Sequence, residues 1–174
     1  MRRSAISREG RRLVGFEVGS VAYGIDIDRV RAIVRPLPLQ PLPHMPEMVA
    51  GVADHRGVLI PVLDLRRRFG LVAAAPDRAA RWIIVTRERR LVALIVDRAS
   101  EVLTVDEGQA RGIPELGSGA EDRAIAGAYN HRGRIVFVSD IDRVTEIADR
   151  LTLPTGQPAS AIEAVGEGER DGAG

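Results

Sequence analysis

Residues 51–65 read GVADHRGVLIPVLDL, and residues 127–141 read GAYNHRGRIVFVSDI. The two segments lie 76 residues apart and align without a gap, with His-Arg-Gly at their centres. Each copy contains an apolar strand, a polar turn closed by glycine, a second apolar strand and then an aspartate where a helix can start. A shorter match pairs IDRV at 27–30 with VDRA at 96–99. A repeat of this kind predicts a bilobed β protein with two similar halves, each too small to bury its own core well.

Apolar runs elsewhere in the chain predict further strands. They lie at residues 13–18, 21–27, 81–86, 91–96 and 101–105. The run at 91–96 is apolar on both faces, so it should lie deep, at the contact between the lobes. Short helices are predicted after Asp64 and over residues 140–151. Five prolines in residues 36–46 instead predict an extended connector.

The chain of 174 residues is long enough for one domain or for two small ones packed together. We place the domain at residues 13–150, with lobe 1 over about 13–75 and lobe 2 over about 76–150. Residues 1–12 are a basic N-terminal arm. Residues 155–174 are mostly Gly, Ala, Ser and acidic, a composition that predicts a disordered tail.

The composition argues against several classes of function. All 25 cationic residues are arginine, and the net charge of +1 gives no strong overall attraction to nucleic acid or anionic lipid. Only 3% of residues are aromatic, which disfavours a base-stacking surface. No run approaches the ~18 apolar residues that cross a bilayer, and no signal-peptide core follows the basic N-terminus. We therefore expect a cytoplasmic protein without direct membrane insertion or nucleic acid as a partner.

The sequence lacks the common catalytic and metal-binding patterns. Its three histidines, His44, His55 and His131, form no HxH, HxxxH or HExxH, and there is no cysteine. It has no GxSxG nucleophile motif, and without lysine it has no phosphate-binding loop of the GxxxxGK type. We therefore expect no catalytic residues, no metal site and no cofactor.

The His-Arg-Gly turns have two compatible interpretations. In the first they are hairpin turns, in which Gly57 and Gly133 supply positive φ, and Asp54 and Asn130 bond the backbone. In the second, Arg56 also projects from a rigid hairpin as an interaction residue.

Over residues 13–150 the order and spacing of several short elements resemble the CheW family. In the first half these are YGIDI at 23–27, Val30, Ile33, GV at 51–52, RG at 56–57, IPV at 60–62 and DLR at 64–66. In the second half they are VALIVD at 92–97, EVL at 101–103 and the residues from Gly127 onward. The resemblance implies a mainly β fold of two SH3-like five-stranded β-barrel lobes packed together, with short helices and no catalytic activity.

The resemblance also implies two protein partners, the regulatory domain of a chemotaxis-type histidine kinase and the cytoplasmic tip of a chemoreceptor. The protein would couple the two in a signalling array. The partner-binding residues that it implies are Val30, Gly51, Asp54, His55, Arg56 and Gly57.

Two departures from the family pattern affect Arg56. Asp54-His55 stands where the family usually has Asn-Leu, and Ala32 stands where it often has Glu. Arg56 is therefore expected either to lack an acidic partner or to pair with Glu47 or Asp54 instead. Three functions remain open: a coupling adaptor; a divergent CheW-like protein that has lost or changed kinase or receptor binding and modulates the array; and a small Arg-rich β-barrel protein that binds nucleic acid.

Overall fold

The computed structural model describes residues 10–75, 77–113, 124–151 and 153. Its strands are β1 Arg11–Val18, β2 Val21–Asp26, β3 Val30–Val34, β4 Val49–His55, β5 Val58–Asp64, β6 Arg81–Arg87, β7 Arg90–Val96, β8 Arg98–Val105, β9 Ala110–Arg111, β10 Ile125–His131 and β11 Arg134–Ser139. The α-helices are α1 Leu65–Arg68 and α2 Ile141–Thr145, and 3-10 helices cover Ile27–Arg29, Glu107–Gln109 and Glu146–Arg150. The prediction of a mainly β fold with short helices is confirmed.

The strands form two sheets. The six-stranded sheet has the order β8-β1-β2-β11-β10-β9, and the five-stranded sheet has the order β3-β6-β7-β5-β4. Neighbouring strands are antiparallel except in two pairs, β2 with β11 and β5 with β7. Without the two-residue strand β9, the two sheets have the same arrangement of five strands. In each sheet a central hairpin (β1–β2 or β6–β7) has one strand of a repeated hairpin (β11 or β5) parallel to its second strand, and a fifth strand (β8 or β3) antiparallel to its first strand.

The two halves of the sequence are interleaved in these sheets. Hairpin β1–β2 belongs to the six-stranded sheet, whose other strands come from the second half of the chain. Hairpin β6–β7 lies in the five-stranded sheet, with β3, β4 and β5 from the first half. The lobes therefore do not follow the division near residue 75 that the repeat suggested. The reason is that the chain crosses from one sheet to the other after the first hairpin of each half.

The two crossings lie within the shorter sequence match, IDRV at 27–30 and VDRA at 96–99. One is the 3-10 helix between β2 and β3, and the other is Asp97, between β7 and β8. Each crossing is tied by an ion pair to the helix that follows a repeated hairpin. Arg29 pairs with Asp142 of α2 at 2.6 Å, and Asp97 pairs with Arg66 of α1 at 2.8 Å.

The main core lies between the two sheets. Phe16, Tyr23 and Ile25 of the six-stranded sheet pack in one cluster with Ile83 and Leu94 of the five-stranded sheet. Strand β7 is buried on both faces, since its residues divide between this cluster and a second one under the five-stranded sheet. This matches the expectation for its continuous apolar run. Because the largest core is shared, burial of apolar surface stabilises the two sheets together.

Both ends of the chain fall largely outside the described residues. The predicted arm is described only from Gly10, and its last two residues, Arg11 and Arg12, already belong to β1. The predicted tail at 155–174 lies outside the described residues altogether. Among the helices of the described part of the chain, none is long and apolar enough to cross a membrane.

Candidate partner-binding surface

The two repeated turns have the same backbone conformation. Arg56 and Gly57 have φ of 57° and 82°, and Arg132 and Gly133 have φ of 49° and 81°. Two successive residues with positive φ match the twist of a tight β-hairpin, and glycine adopts the second of these positions without strain. The prediction that both glycines have positive φ is confirmed.

A side-chain hydrogen bond closes each turn. The backbone N–H of Gly57 donates to Asp54 Oδ1 at 2.7 Å, and that of Gly133 donates to Asn130 Oδ1 at 3.0 Å. Asp54 therefore serves the turn as predicted. This bond and the antiparallel pairing of β4 with β5 hold the turn rigidly.

Arg56 is exposed at the tip of the first turn, while His55 is half-buried beside it. Within the described part of the chain, Arg56 makes no hydrogen bond or ion pair. Neither of the two carboxylates considered as alternative partners forms an ion pair with it. The Asp54 carboxylate closes the turn, and Glu47 contributes its backbone carbonyl to a hydrogen bond from Arg67. The guanidinium of Arg56 is thus available to another molecule.

Gly51 lies below the surface. It is buried, has φ of 148°, and a Cβ at this position would stand 2.3 Å from the carbonyl oxygen of Gln40. Two backbone hydrogen bonds of 2.8 and 2.9 Å join Gln40 to Val52 and hold the proline-rich connector against β4. Glycine at position 51 therefore allows the connector to lie flat on the hairpin that carries Arg56.

Val30 opens β3, at the other end of the strand order from β4. It pairs with Val85 and packs partly against the core between the sheets. The structure thus brings four of the predicted residues together at one turn, Asp54 to Gly57, with Gly51 beneath the connector and Val30 on a separate edge strand.

The turn of the six-stranded sheet has different charge partners. Arg132 pairs with Glu101 of β8 at 3.2 Å, and Arg134 pairs with Glu17 of β1 at 2.6 Å. Strand β8 and strand β10 are far apart in the order of this sheet, so the Arg132–Glu101 pair means that the sheet curls on itself as a barrel-like lobe does. The four charged side chains line a cavity of about 270 Å³.

Sequence reasoning missed Val58, a large apolar residue next to the first turn. It is 53% exposed, and in the aligned repeat its counterpart is Arg134. An apolar residue at a position that is charged in the other copy was a visible signal. With Arg56, Val58 makes the turn partly cationic and partly apolar, which suits contact with a protein.

Two further features define what the described residues offer chemically. A second cavity, of about 490 Å³, lies between the connector and the five-stranded sheet, with Leu37, Trp82 and Asp97 in its wall. Among the described residues, no group of three or more His, Asp or Glu is placed to hold a metal ion. The first turn, with an exposed guanidinium beside an exposed apolar side chain, is the strongest candidate for a binding surface.

Comparison with known proteins gives one consistent family. The family model described as CheW-like domain matches residues 12–149. The chain is 32% identical over 145 residues to the chemotaxis protein CheW of Rhizobium meliloti (strain 1021), covering 83% of this chain and 94% of that protein. It is 28% identical over 135 residues to the chemotaxis protein CheW of Klebsiella aerogenes, covering 78% and 81%.

A solved structure supports the same conclusion. The crystal structure of the scaffolding protein TtCheW from Thermoanaerobacter tengcongensis superposes with a TM-score of 0.72 at 27% sequence identity. The match covers 79% of this chain and 93% of that one. The likeness extends over both lobes and confirms the predicted two-lobed, SH3-like fold.

Proposed function

This chain belongs to the CheW-like domain family, and on that basis we propose that it binds the regulatory domain of a chemotaxis-type histidine kinase and the cytoplasmic tip of a chemoreceptor. It is a non-catalytic coupling adaptor of chemotaxis signalling. Its role is to hold receptor and kinase in one assembly, so that a change at the receptor reaches the kinase. The observation that carries this conclusion is the family match over residues 12–149, which includes both repeated hairpins and both crossings.

The first turn is the proposed partner contact. Arg56 is exposed and without a partner among the described residues, on a hairpin closed by Asp54 and Gly57. A rigid turn loses little conformational freedom on binding, and a guanidinium can form two parallel hydrogen bonds with one carboxylate. Val58, exposed beside it, adds apolar area to the same contact.

The other predicted residues have supporting roles in this proposal. Gly51 lets the connector pack on β4 and so fixes the hairpin from below. His55 flanks Arg56 at the end of β4, and Val30 offers part of its side chain on β3. We propose a cytoplasmic location, because that is where the tip of a receptor meets its kinase.

A binding experiment with two purified partners tests the proposal. The full chain is titrated separately with the regulatory domain of the kinase and with a soluble fragment of the receptor tip, both from the same organism, and then with the two together. A coupling adaptor should bind each and form a ternary complex. Failure to bind one of them would favour a divergent CheW-like protein.

The two other functions have less support. The divergent alternative is not favoured, because the chain matches chemotaxis CheW proteins over most of their lengths. The nucleic-acid alternative has no support in a net charge of +1 and 3% aromatic residues. A salt-titrated DNA- and RNA-binding assay tests it directly.

A further inference from the structure

The two sheets can be compared position by position through their strand registers. In the five-stranded sheet Val30 pairs with Val85 and Ile33 with Ile83. In the six-stranded sheet Ala99 pairs with Phe16 and Val102 with Val14. In both sheets the outer strand carries one extra residue between those two pairs, a β-bulge at the same place.

Counting along the outer strands makes Ala32 of β3 the counterpart of Glu101 of β8, because each directly precedes the second of these pairs, at Ile33 and at Val102. By the alignment of the hairpins, Arg56 is the counterpart of Arg132. Glu101 and Arg132 form an ion pair at 3.2 Å. At the corresponding position of the five-stranded sheet, Ala32 has a methyl group, which packs partly against the core of that sheet, where Glu101 has a carboxylate.

The ion pair between Arg134 and Glu17 of the six-stranded sheet also has no counterpart in the five-stranded sheet. Glu17 lies one residue before the end of β1, and its counterpart at the same place in β6 is Thr86. Its partner Arg134 corresponds to Val58. Thr86 accepts a hydrogen bond from Arg31 at 3.2 Å, so a further arginine lies on this side of the sheet.

The two faces therefore differ in charge. On the six-stranded sheet, two arginines are matched by two glutamates. On the five-stranded sheet, Arg31 and Arg56 face no carboxylate at either counterpart position, and the nearby carboxylate of Asp54 already accepts the N–H of Gly57. This side of the sheet therefore carries two arginines, and it has alanine at the position where the other sheet has Glu101.

We propose that a carboxylate side chain of the partner protein occupies, beside Arg56, the place that Glu101 occupies beside Arg132. The inference rests on the proposed function and specifies the chemistry of the partner: a protein segment that presents an Asp or Glu next to an apolar side chain. The carboxylate pairs with Arg56, and the apolar side chain packs on Val58. Ala32 then determines specificity, because its methyl group cannot pair with Arg56 and leaves that role to the carboxylate of the partner.

The test introduces an acidic side chain at position 32 of the chain itself. Ala32→Glu supplies the acid internally, Ala32→Gln has the same size without the charge, and Arg56→Ala removes the cation. Each full-length variant is titrated by calorimetry with the kinase regulatory domain and with the receptor-tip fragment, at low and at high salt. Circular dichroism verifies that each variant is folded. If Ala32→Glu does not fold, Ala32→Asp, with a shorter side chain, takes its place.

We expect Ala32→Glu to weaken binding of the Arg56-dependent partner on the order of tenfold, as charge-pair changes at interfaces do, and to reduce the salt dependence of its affinity. Ala32→Gln should weaken it far less. Glu101→Ala, the matched change in the other sheet, should leave this affinity unchanged.

The outcomes separate this inference from the proposed function. If Arg56→Ala weakens binding but Ala32→Glu binds as tightly as the wild type, or no more weakly than Ala32→Gln, the carboxylate proposal is overturned and the adaptor contact at Arg56 stands. If Arg56→Ala leaves the affinity for both partners unchanged, the contact at Arg56 itself is wrong.

Discussion

Arg56 and Arg132 have the same backbone conformation and sit in the same kind of turn, yet only one has an internal partner. Arg132 is paired with Glu101, whereas Arg56 has no hydrogen bond or ion pair within the described residues. An exposed side chain without internal hydrogen bonds or ion pairs contributes little to folding, so changes to it should be visible mainly in binding.

Arg56→Ala should therefore weaken binding of a protein partner by at least ~1–2 kcal/mol, a typical cost of removing an interface arginine. It should hardly change the free energy of unfolding. Ile60→Ala, at a position only 1% exposed, should instead cost about 2–5 kcal/mol of stability. Calorimetric titration and urea unfolding of both variants measure the two effects.

Arg132→Ala is the matched control in the other turn. Its ion pair is largely exposed, and such pairs contribute about 0–1 kcal/mol. This variant should lose little stability and keep the affinity measured for the Arg56-dependent partner.

If Arg56→Ala unfolds as readily as Ile60→Ala while its folded fraction binds normally, Arg56 is a structural residue and the contact role is wrong.

Gly51 and Gly57 lie in the same hairpin but need glycine for different reasons. A Cβ at Gly51 would collide with the backbone of Gln40, whereas a Cβ at Gly57 would meet no atom within 4 Å. Gly57→Ala should cost roughly 1–2 kcal/mol from its left-handed backbone alone. Gly51→Ala should cost more, because the connector must also move, and urea unfolding measures both. Equal losses would contradict the connector contact.

The crossings between the sheets are short elements that depend on ion pairs. The hydrogen bond from Arg29 holds the pKa of Asp142 below its ordinary value of 3.8, and that from Arg87 does the same for the pKa of Asp149. A carboxylate with a lowered pKa in the folded state stabilises the fold at pH above its unfolded value. This contribution is lost as the pH falls through the folded pKa.

Asp142→Asn should therefore reduce stability at neutral pH and have progressively less effect as the pH falls below 3.8. The carboxylate is 59% exposed, so the loss should be small and should shrink in high salt. Urea unfolding of the variant and of the wild type between pH 2.5 and 7 gives the difference. A difference that is constant over this range would show that the charge of Asp142 is not its cause.

The hairpins could be predicted from the sequence because their signals are local. The positive φ of Gly57 and the cap formed by Asp64 follow from residue types within a few positions of each other. The Glu101–Arg132 pair could not be predicted. It depends on which strands meet when the sheet curls and on a one-residue bulge in β8, and neither leaves a local pattern.

The interleaved sheets make each half of the sequence dependent on the other. Strand β2 needs β11 as its neighbour, and strand β7 needs β5, and each of these parallel pairs joins the two halves. The repeat revealed that there are two similar halves, but it carries no information on which sheet each hairpin enters. The two crossings are therefore a property of the tertiary structure alone.

Fragments 1–75 and 76–154 should each fail to fold, because neither contains the strands of a complete sheet. Mixing them in equal amounts should restore β structure. Circular dichroism melting curves of each fragment and of the mixture test this. Independent cooperative melting of either fragment would contradict it.

The exchange of hairpins gives this chain the connectivity of a domain-swapped dimer whose two protomers have been fused between α1 and β6. A dimer of identical halves must carry every substitution on both faces, since one gene encodes both. Fusion removes this restriction. Position 32 can therefore be Ala on one face while its counterpart on the other face is Glu101, which pairs with Arg132. The difference between Ala32 and Glu101 is thus one that a single polypeptide can carry and a dimer of identical halves cannot.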